Sequence, residues 1–195
     1  MTVPLVDMAA ARRAVADLLR AIGEDPTREG LRETPQRVAQ FWREFIAYDP
    51  GDMSTAFQQI ETDQLVVVSG IPTWSICEHH LLPMALEVGV GYVTDHKVLG
   101  LSKLVRIVLN NCHALQIQER IAHGILRDIK AYTGTEHAGV IVRGLHLCMI
   151  MRGVKTPGVM TTSALSGNLY KNGPARAEFL SLVQKGGSGV WDGKV

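Results

Sequence analysis

Two short clusters of metal-binding residue types, Cys77-Glu78-His79-His80 and His146-Leu147-Cys148, lie some seventy residues apart in this 195-residue chain. If one ion draws ligands from both, the fold has to return the second segment to the first. Cys77-x-x-His80 spaces two soft ligands about one turn apart, so both can face the same ion. The stretch Ala138 to Arg152 reads as a strand, in which residues two apart share a face. That places His146, Cys148 and Arg152 along one side. A metal held by Cys77, His80 and Cys148 would have three protein ligands and one open tetrahedral position. This is the pattern of catalytic zinc, which lowers the pKa of its water to about 7.

Two other readings compete. Each cysteine can be a small buried hydrophobe, as free cysteines usually are. A Cys77–Cys148 disulfide is the second. It is disfavoured because Met1 to Ala11 carries no long apolar core and no small-residue cleavage site, which points to the cytoplasm. Cysteines beside histidines in that compartment favour metal.

The chain is long enough for one substantial core with a helical extension. A formal net charge of +1, with 46% apolar and 20% charged residues, argues against nucleic-acid binding by bulk charge. No apolar run reaches the ~18 residues of a membrane span, so no membrane partner is expected.

Met8 to Ile22 carries apolar residues at helical spacing and ends before Gly23. Thr34-Pro35 opens a second helix to about Tyr48, with Thr34 expected at the N-cap. Asp49-Pro50-Gly51-Asp52 then marks a boundary. The expected division is a helical extension over residues 1–52, a catalytic domain over 53–185 and a flexible glycine-rich tail over 186–195. In the middle section, Leu65 to Ser69, Trp74 to Ile76 and Leu86 to Thr94 read as strands. Lys103 to Asn111 and Leu115 to Tyr132 read as helices. Ala138 to Arg152 is read as a long strand, Thr161 to Tyr170 as another, and Ala175 to Gln184 as a last helix. Strands and helices in blocks without regular alternation indicate an α+β fold with an antiparallel sheet.

Gly100-Leu101-Ser102-Lys103-Leu104-Val105-Arg106 puts Ser102 and Lys103 at a helix N-terminus, with Arg106 one turn further on. Free backbone N–H groups and a partial positive charge there suit phosphate, and Arg152 is a candidate to join them. A solvated basic surface accounts for the same residues. In Leu115 to Tyr132, Gln118 falls inside the apolar arc and Glu119 at its edge. A buried amide and carboxylate need partners. Neighbouring backbone would serve, and so would a ligand with paired N–H donors, such as the N1–H and exocyclic amine of guanine.

These segments carry a family resemblance. Cys77-Glu78-His79-His80-Leu81-Leu82-Pro83, Gly100-Leu101-Ser102-Lys103-Leu104, Gln116-Ile117-Gln118-Glu119-Arg120, His146-Leu147-Cys148 and Arg152-Gly153-Val154 resemble GTP cyclohydrolase I. So do Asp25-Pro26-Thr27-Arg28-Glu29-Gly30-Leu31 and Thr34-Pro35-Gln36-Arg37-Val38. The resemblance runs from about Ala11 to Val183, with the motifs in the family's order. It implies a tunnelling fold, a toroidal homodecamer with sites between subunits, and conversion of GTP into 7,8-dihydroneopterin triphosphate and formate, the first step of pterin synthesis. It further implies that Cys77, His80 and Cys148 hold Zn2+, whose water attacks C8 of guanine. His79 would be the acid/base for imidazole-ring opening, and His146 would shuttle protons during ribose opening and rearrangement. Ser102, Lys103, Arg106 and Arg152 would hold the triphosphate, while Gln118 and Glu119 would recognise guanine.

Two segments depart from the family's pattern. Cys112-His113-Ala114-Leu115 replaces a common Ala-Arg-Arg-Pro, and Leu86-Glu87-Val88-Gly89-Val90-Gly91-Tyr92 replaces Gly-x-Ala-His-Val-Ala-Tyr. Cys112 is expected to be a buried thiol.

Overall fold

A computed structural model describes residues 5–53, 56–58, 64–95 and 97–186. The chain divides into two compact units, Met1–Asp49 and Pro50–Val195. In the first, α1 (Met8–Ala21) is capped by the Asp7 carboxylate, which accepts from the Ala9 and Ala10 amides. Gly23, at φ 88°, follows it. Helix α2 (Thr34–Ile46) begins on Thr34 itself. Glu33 therefore occupies the cap position that the sequence suggested for Thr34, and no side chain caps this end.

The second unit is built on a five-stranded sheet in the order β5-β2-β3-β6-β7. Its strands are β2 (Leu65–Cys77), β3 (Pro83–Val93), β5 (Leu115–Gln116), β6 (Ala138–His146) and β7 (Val159–Leu165). All neighbours are antiparallel except β5, which runs parallel to the end of β2. A separate two-stranded ribbon joins β1 (Ala56–Gln58) to β4 (Lys97–Leu99). The helices are α3 (Leu101–Cys112), α4 (Gln118–Thr133), α5 (Leu147–Ile150), α6 (Asn168–Lys171) and α7 (Gly173–Gly186). The mixed α+β architecture is the expected one. The glycine-rich tail lies, after Gly186, outside the described residues.

Four expected readings change at their ends. The two short strands from Leu65 to Ile76 form one strand, because Ser69 and Gly70 (φ 68°) make a bulge between Val68 and Ile71 and do not end the pairing. Pro72 is accommodated because β5 pairs only with Ile76 and Cys77, so the proline nitrogen faces no partner strand. Leu115 and Gln116 are a strand rather than the first turn of a helix, and α4 begins at Gln118. The long strand from Ala138 stops at His146, where its partner β3 also ends, at Met84 paired with His146. The chain then enters the helical turn α5, so His146, Cys148 and Arg152 do not share a strand face. Likewise Thr161 to Tyr170 is β7 followed by α6.

Every residue of β3 from Met84 to Tyr92 is buried, because both faces of the sheet are covered. On one face Met84, Leu86, Val88, Val90 and Tyr92 join Leu104, Ile107, Val108, Ile121, Ile125 and Ile129 of α3 and α4 in the main core. On the other, Phe179 and Val183 of α7 pack with Ile141 and Leu169. That helix lies close because β3 and β6 carry glycines beneath it. A Cβ on Gly91 would stand 2.9 Å from the Phe179 ring, and one on Gly139 2.8 Å from it. The departure from the family's Gly-x-Ala-His-Val-Ala-Tyr pattern thus falls where α7 seats its bulkiest side chain. Gly91→Val should cost about 1–3 kcal/mol through overpacking, read as a lower urea midpoint. An unchanged midpoint would mean that Phe179 can move without loss.

Candidate active site

Strand β2 ends at Cys77, and the chain reverses tightly over Glu78 to Leu82 before entering β3. The Cys77 amide donates to the Leu82 carbonyl, while the His80 and Leu81 amides return to the Cys77 carbonyl. Leu81 takes φ 54°, a left-handed conformation uncommon for a leucine, as the reversal requires. This turn points ring nitrogens back at the cysteine. Nδ1 of His80 is 3.7 Å from Cys77 Sγ, and Nδ1 of His79 is 3.9 Å from it. The α5 turn brings in the third residue, so that the ligand atoms of Cys77, His80 and Cys148 all lie within 4.8 Å of one another.

The donor set fits a metal. Zinc bonds of about 2.3 Å to sulfur and 2.0–2.1 Å to nitrogen would put tetrahedral ligand atoms about 3.5–3.8 Å apart, and the Cys77–His80 separation is within that range. Burial and the facing Cys77 sulfur push the Cys148 thiol up, so without a cation the two sulfurs resist sharing negative charge. A divalent ion relieves that. All three cysteines are free, which removes the disulfide reading. Cys112 is fully buried and its thiol is pushed up to about 12 by desolvation, as befits a packed side chain and not a ligand.

The short strand β5 brings α4 to the same place. The Glu78 amide donates to the Gln116 carbonyl, and Gln118 opens the helix two residues past the end of the strand. Gln118 is 1% exposed. Its Oε1 lies 2.8 Å from His146 Nε2. Glu119, expected at a buried edge, is exposed in the first turn of α4. Its carboxylate opposes the effect of burial, which pushes the His146 imidazole below its usual range.

Arg152 follows α5, and its Nη1 meets His80 Nε2. Ser102 and Lys103 occupy the first turn of α3, behind Gly100. Lys103 is 4% exposed, its ammonium sits 5.0 Å from the centre of the Tyr132 ring, and burial lowers its pKa. Arg106 Nη1 donates to the Asp52 carbonyl at 2.6 Å. Among the described residues no hydrogen bond or ion pair within the chain joins Ser102, Lys103 or Arg106 to the metal-ligand cluster. Arg152 alone of the four basic or hydroxyl candidates touches it.

Sequence reasoning missed a clamp. Arg120 makes a two-pronged contact with Glu78, at 2.6 and 3.1 Å, and its Nη1 also reaches Gln116. The pair holds the turn carrying His79 and His80 against α4 and lowers the Glu78 pKa, chiefly through the Arg120 hydrogen bond. The available signal was that both residues fall inside motifs already quoted, Cys77 to Pro83 and Gln116 to Arg120.

The Cys77, His80 and Cys148 cluster, with His79 beside it and His146 two residues before Cys148, is a donor set able to bind a metal with a position left open, the kind found in metal-dependent hydrolases. Comparison with known proteins agrees. The family model for GTP cyclohydrolase I matches residues 11–184. The chain is 42% identical over 189 residues to GTP cyclohydrolase 1 of Dehalococcoides mccartyi, covering 94% of this chain and 100% of that one. It is 43% identical over 180 residues to the protein of that name from Aquifex aeolicus, covering 92% and 98%. GTP cyclohydrolase 1 of Hyperthermus butylicus gives 43% over 180 residues, covering 92% of each. The chain belongs to the GTP cyclohydrolase I family. It is an enzyme of that class, a hydrolase with a cluster able to bind a metal. No described helix is long and apolar enough to cross a membrane.

Proposed function

We propose that this enzyme converts GTP into 7,8-dihydroneopterin triphosphate and formate with zinc held by Cys77, His80 and Cys148. The convergence of those three ligand atoms within 4.8 Å carries the reading. A zinc ion in such a site supplies Lewis acidity and lowers the pKa of a water. The other steps belong to side chains. His79, 63% exposed and beside Cys77 Sγ, can give and take the proton that opens the imidazole ring. His146, half-buried and fixed through Nε2, carries protons for the ribose opening and rearrangement. Glu119, at an exposed helix start, accepts from guanine N1–H and N2–H2.

Lys103, Ser102, Arg106 and Arg152 would hold the triphosphate. The buried Lys103 ammonium, 5.0 Å from the centre of the Tyr132 ring and within the field of Asp52, is suited to an anion. That no described hydrogen bond or ion pair within the chain joins the α3 group to the metal-ligand cluster is consistent with sites completed between subunits. The proposed assembly is a homodecamer of tunnelling folds, each with a catalytic domain over residues 53–185 preceded by the helical extension. The proposed setting is cytoplasmic pterin synthesis leading to a folate, a biopterin or a deazaguanine.

Incubation with GTP should yield formate and, after oxidation, a fluorescent pterin in equal amounts. Formate without pterin would replace this reading with an enzyme that opens the ring and stops. His79→Ala should keep zinc and GTP binding while losing turnover roughly a hundredfold. Near-normal turnover would remove its assigned role.

A further inference from the structure

The carboxamide of Gln118 has its orientation imposed from outside. Nε2 donates to the Val142 carbonyl on β6 at 3.0 Å and to the Met160 carbonyl on β7 at 3.1 Å, and also contacts Thr162 Oγ1 at 3.2 Å. The two carbonyls can only accept, so a flipped amide would set oxygen against oxygen. Oε1 therefore faces His146 Nε2, 2.8 Å away. Because Oε1 carries no hydrogen, the histidine nitrogen has to be the donor. In a neutral imidazole the proton then sits on Nε2, and Nδ1 is the nitrogen free to accept one.

The sheet makes room for this amide. Gly144, paired with Leu86 on one side and Met160 on the other, lies beneath it, and a Cβ there would collide with Oε1 and with the Leu86 side chain. With both ends of the carboxamide engaged and 1% of the residue exposed, little hydrogen-bonding capacity is left for a base.

We propose that Gln118 is a positioning residue for His146, fixing the ring's rotation and its Nε2–H tautomer so that Nδ1 exchanges protons with the substrate, and that it does not itself read guanine. The proposal rests on the reading of His146 as a proton carrier. It separates the two neighbours at the start of α4. Glu119 faces the ligand, and Gln118 faces the ligand's partner.

The test joins steady-state kinetics on the zinc-loaded enzyme to 15N NMR of the imidazole, assigned by difference from His146→Ala. At a pH where the ring is neutral, the native protein should show Nε2 protonated and Nδ1 bare. The opposite tautomer would overturn the proposal without any variant. Gln118→Met, similar in length but unable to hydrogen-bond in this way, should lower kcat about tenfold or more, with KM for GTP changed less than about threefold. A raised KM with unchanged kcat would return Gln118 to base recognition. Because Gln118→Met strands two buried carbonyls and can fail to fold, Gly144→Ala provides a second route, displacing Oε1 while keeping the amide. It should lower kcat in the same way. Native kcat in a Gly144→Ala protein with a scrambled His146 tautomer would overturn the proposal. Full turnover in His146→Ala would overturn the proton-carrier reading beneath it, an outcome distinct from any Gln118 result.

Discussion

Cys148→Ala is expected to leave the proposed zinc site unable to hold its metal and to abolish turnover, the largest effect expected of any single substitution. The native protein should hold about one zinc per chain, measured by elemental analysis. Removing Cys148 leaves Cys77 and His80, too few protein ligands to hold the ion in a defined tetrahedral site. The fold should survive, because Cys148 is only partly buried and packs at the margin of the core. Cys112→Ala is the matched control. Its thiol is fully buried and pushed up to about 12, so that variant should keep its zinc and its activity while losing some stability. Full activity in a demonstrably metal-free sample of the native enzyme would sink the zinc mechanism.

Selection of guanine is the second large effect, and Glu119 should carry it. Its carboxylate lies in the first turn of α4, where the helix dipole favours negative charge. Guanine offers N1–H and N2–H2 to such a group. Adenine presents a bare N1 and no 2-amine, leaving the carboxylate desolvated and unpaired. GTP should therefore be preferred over ATP by about four orders of magnitude in kcat/KM. ITP, which keeps N1–H but lacks the amine, should fall between. Glu119→Ala should lower kcat/KM for GTP far more than for ATP, since on the proposed reading Lys103, Arg106 and Arg152 would still meet the phosphates. If the variant retained native GTP efficiency and the same GTP/ATP ratio, Glu119 would be a structural carboxylate only.

Local chemistry is what the sequence carried. The α+β class followed from blocks of period-two and period-3.6 apolar residues, and these survive in the structure because they describe which face each element buries. The metal-capable cluster was legible because thiols and imidazoles at short spacing have few other uses together. Helix α1 was read to within a residue, since Gly23 takes the left-handed conformation its position suggested.

Tertiary pairing decided the remainder. Residues 147–150 are apolar enough to extend β6, but past His146 no neighbouring strand remains to satisfy their backbone groups. They coil into α5 and so turn Cys148 toward Cys77 and His80. In the same way Leu115 and Gln116 join β2 because its end offers an open edge. Gln118 shows the limit most clearly. Its burial could be read from the apolar arc around it, but its partners could not. Val142, Met160 and His146 lie 24 to 42 positions away in sequence, and they come together only after β6 and β7 have paired beneath α4.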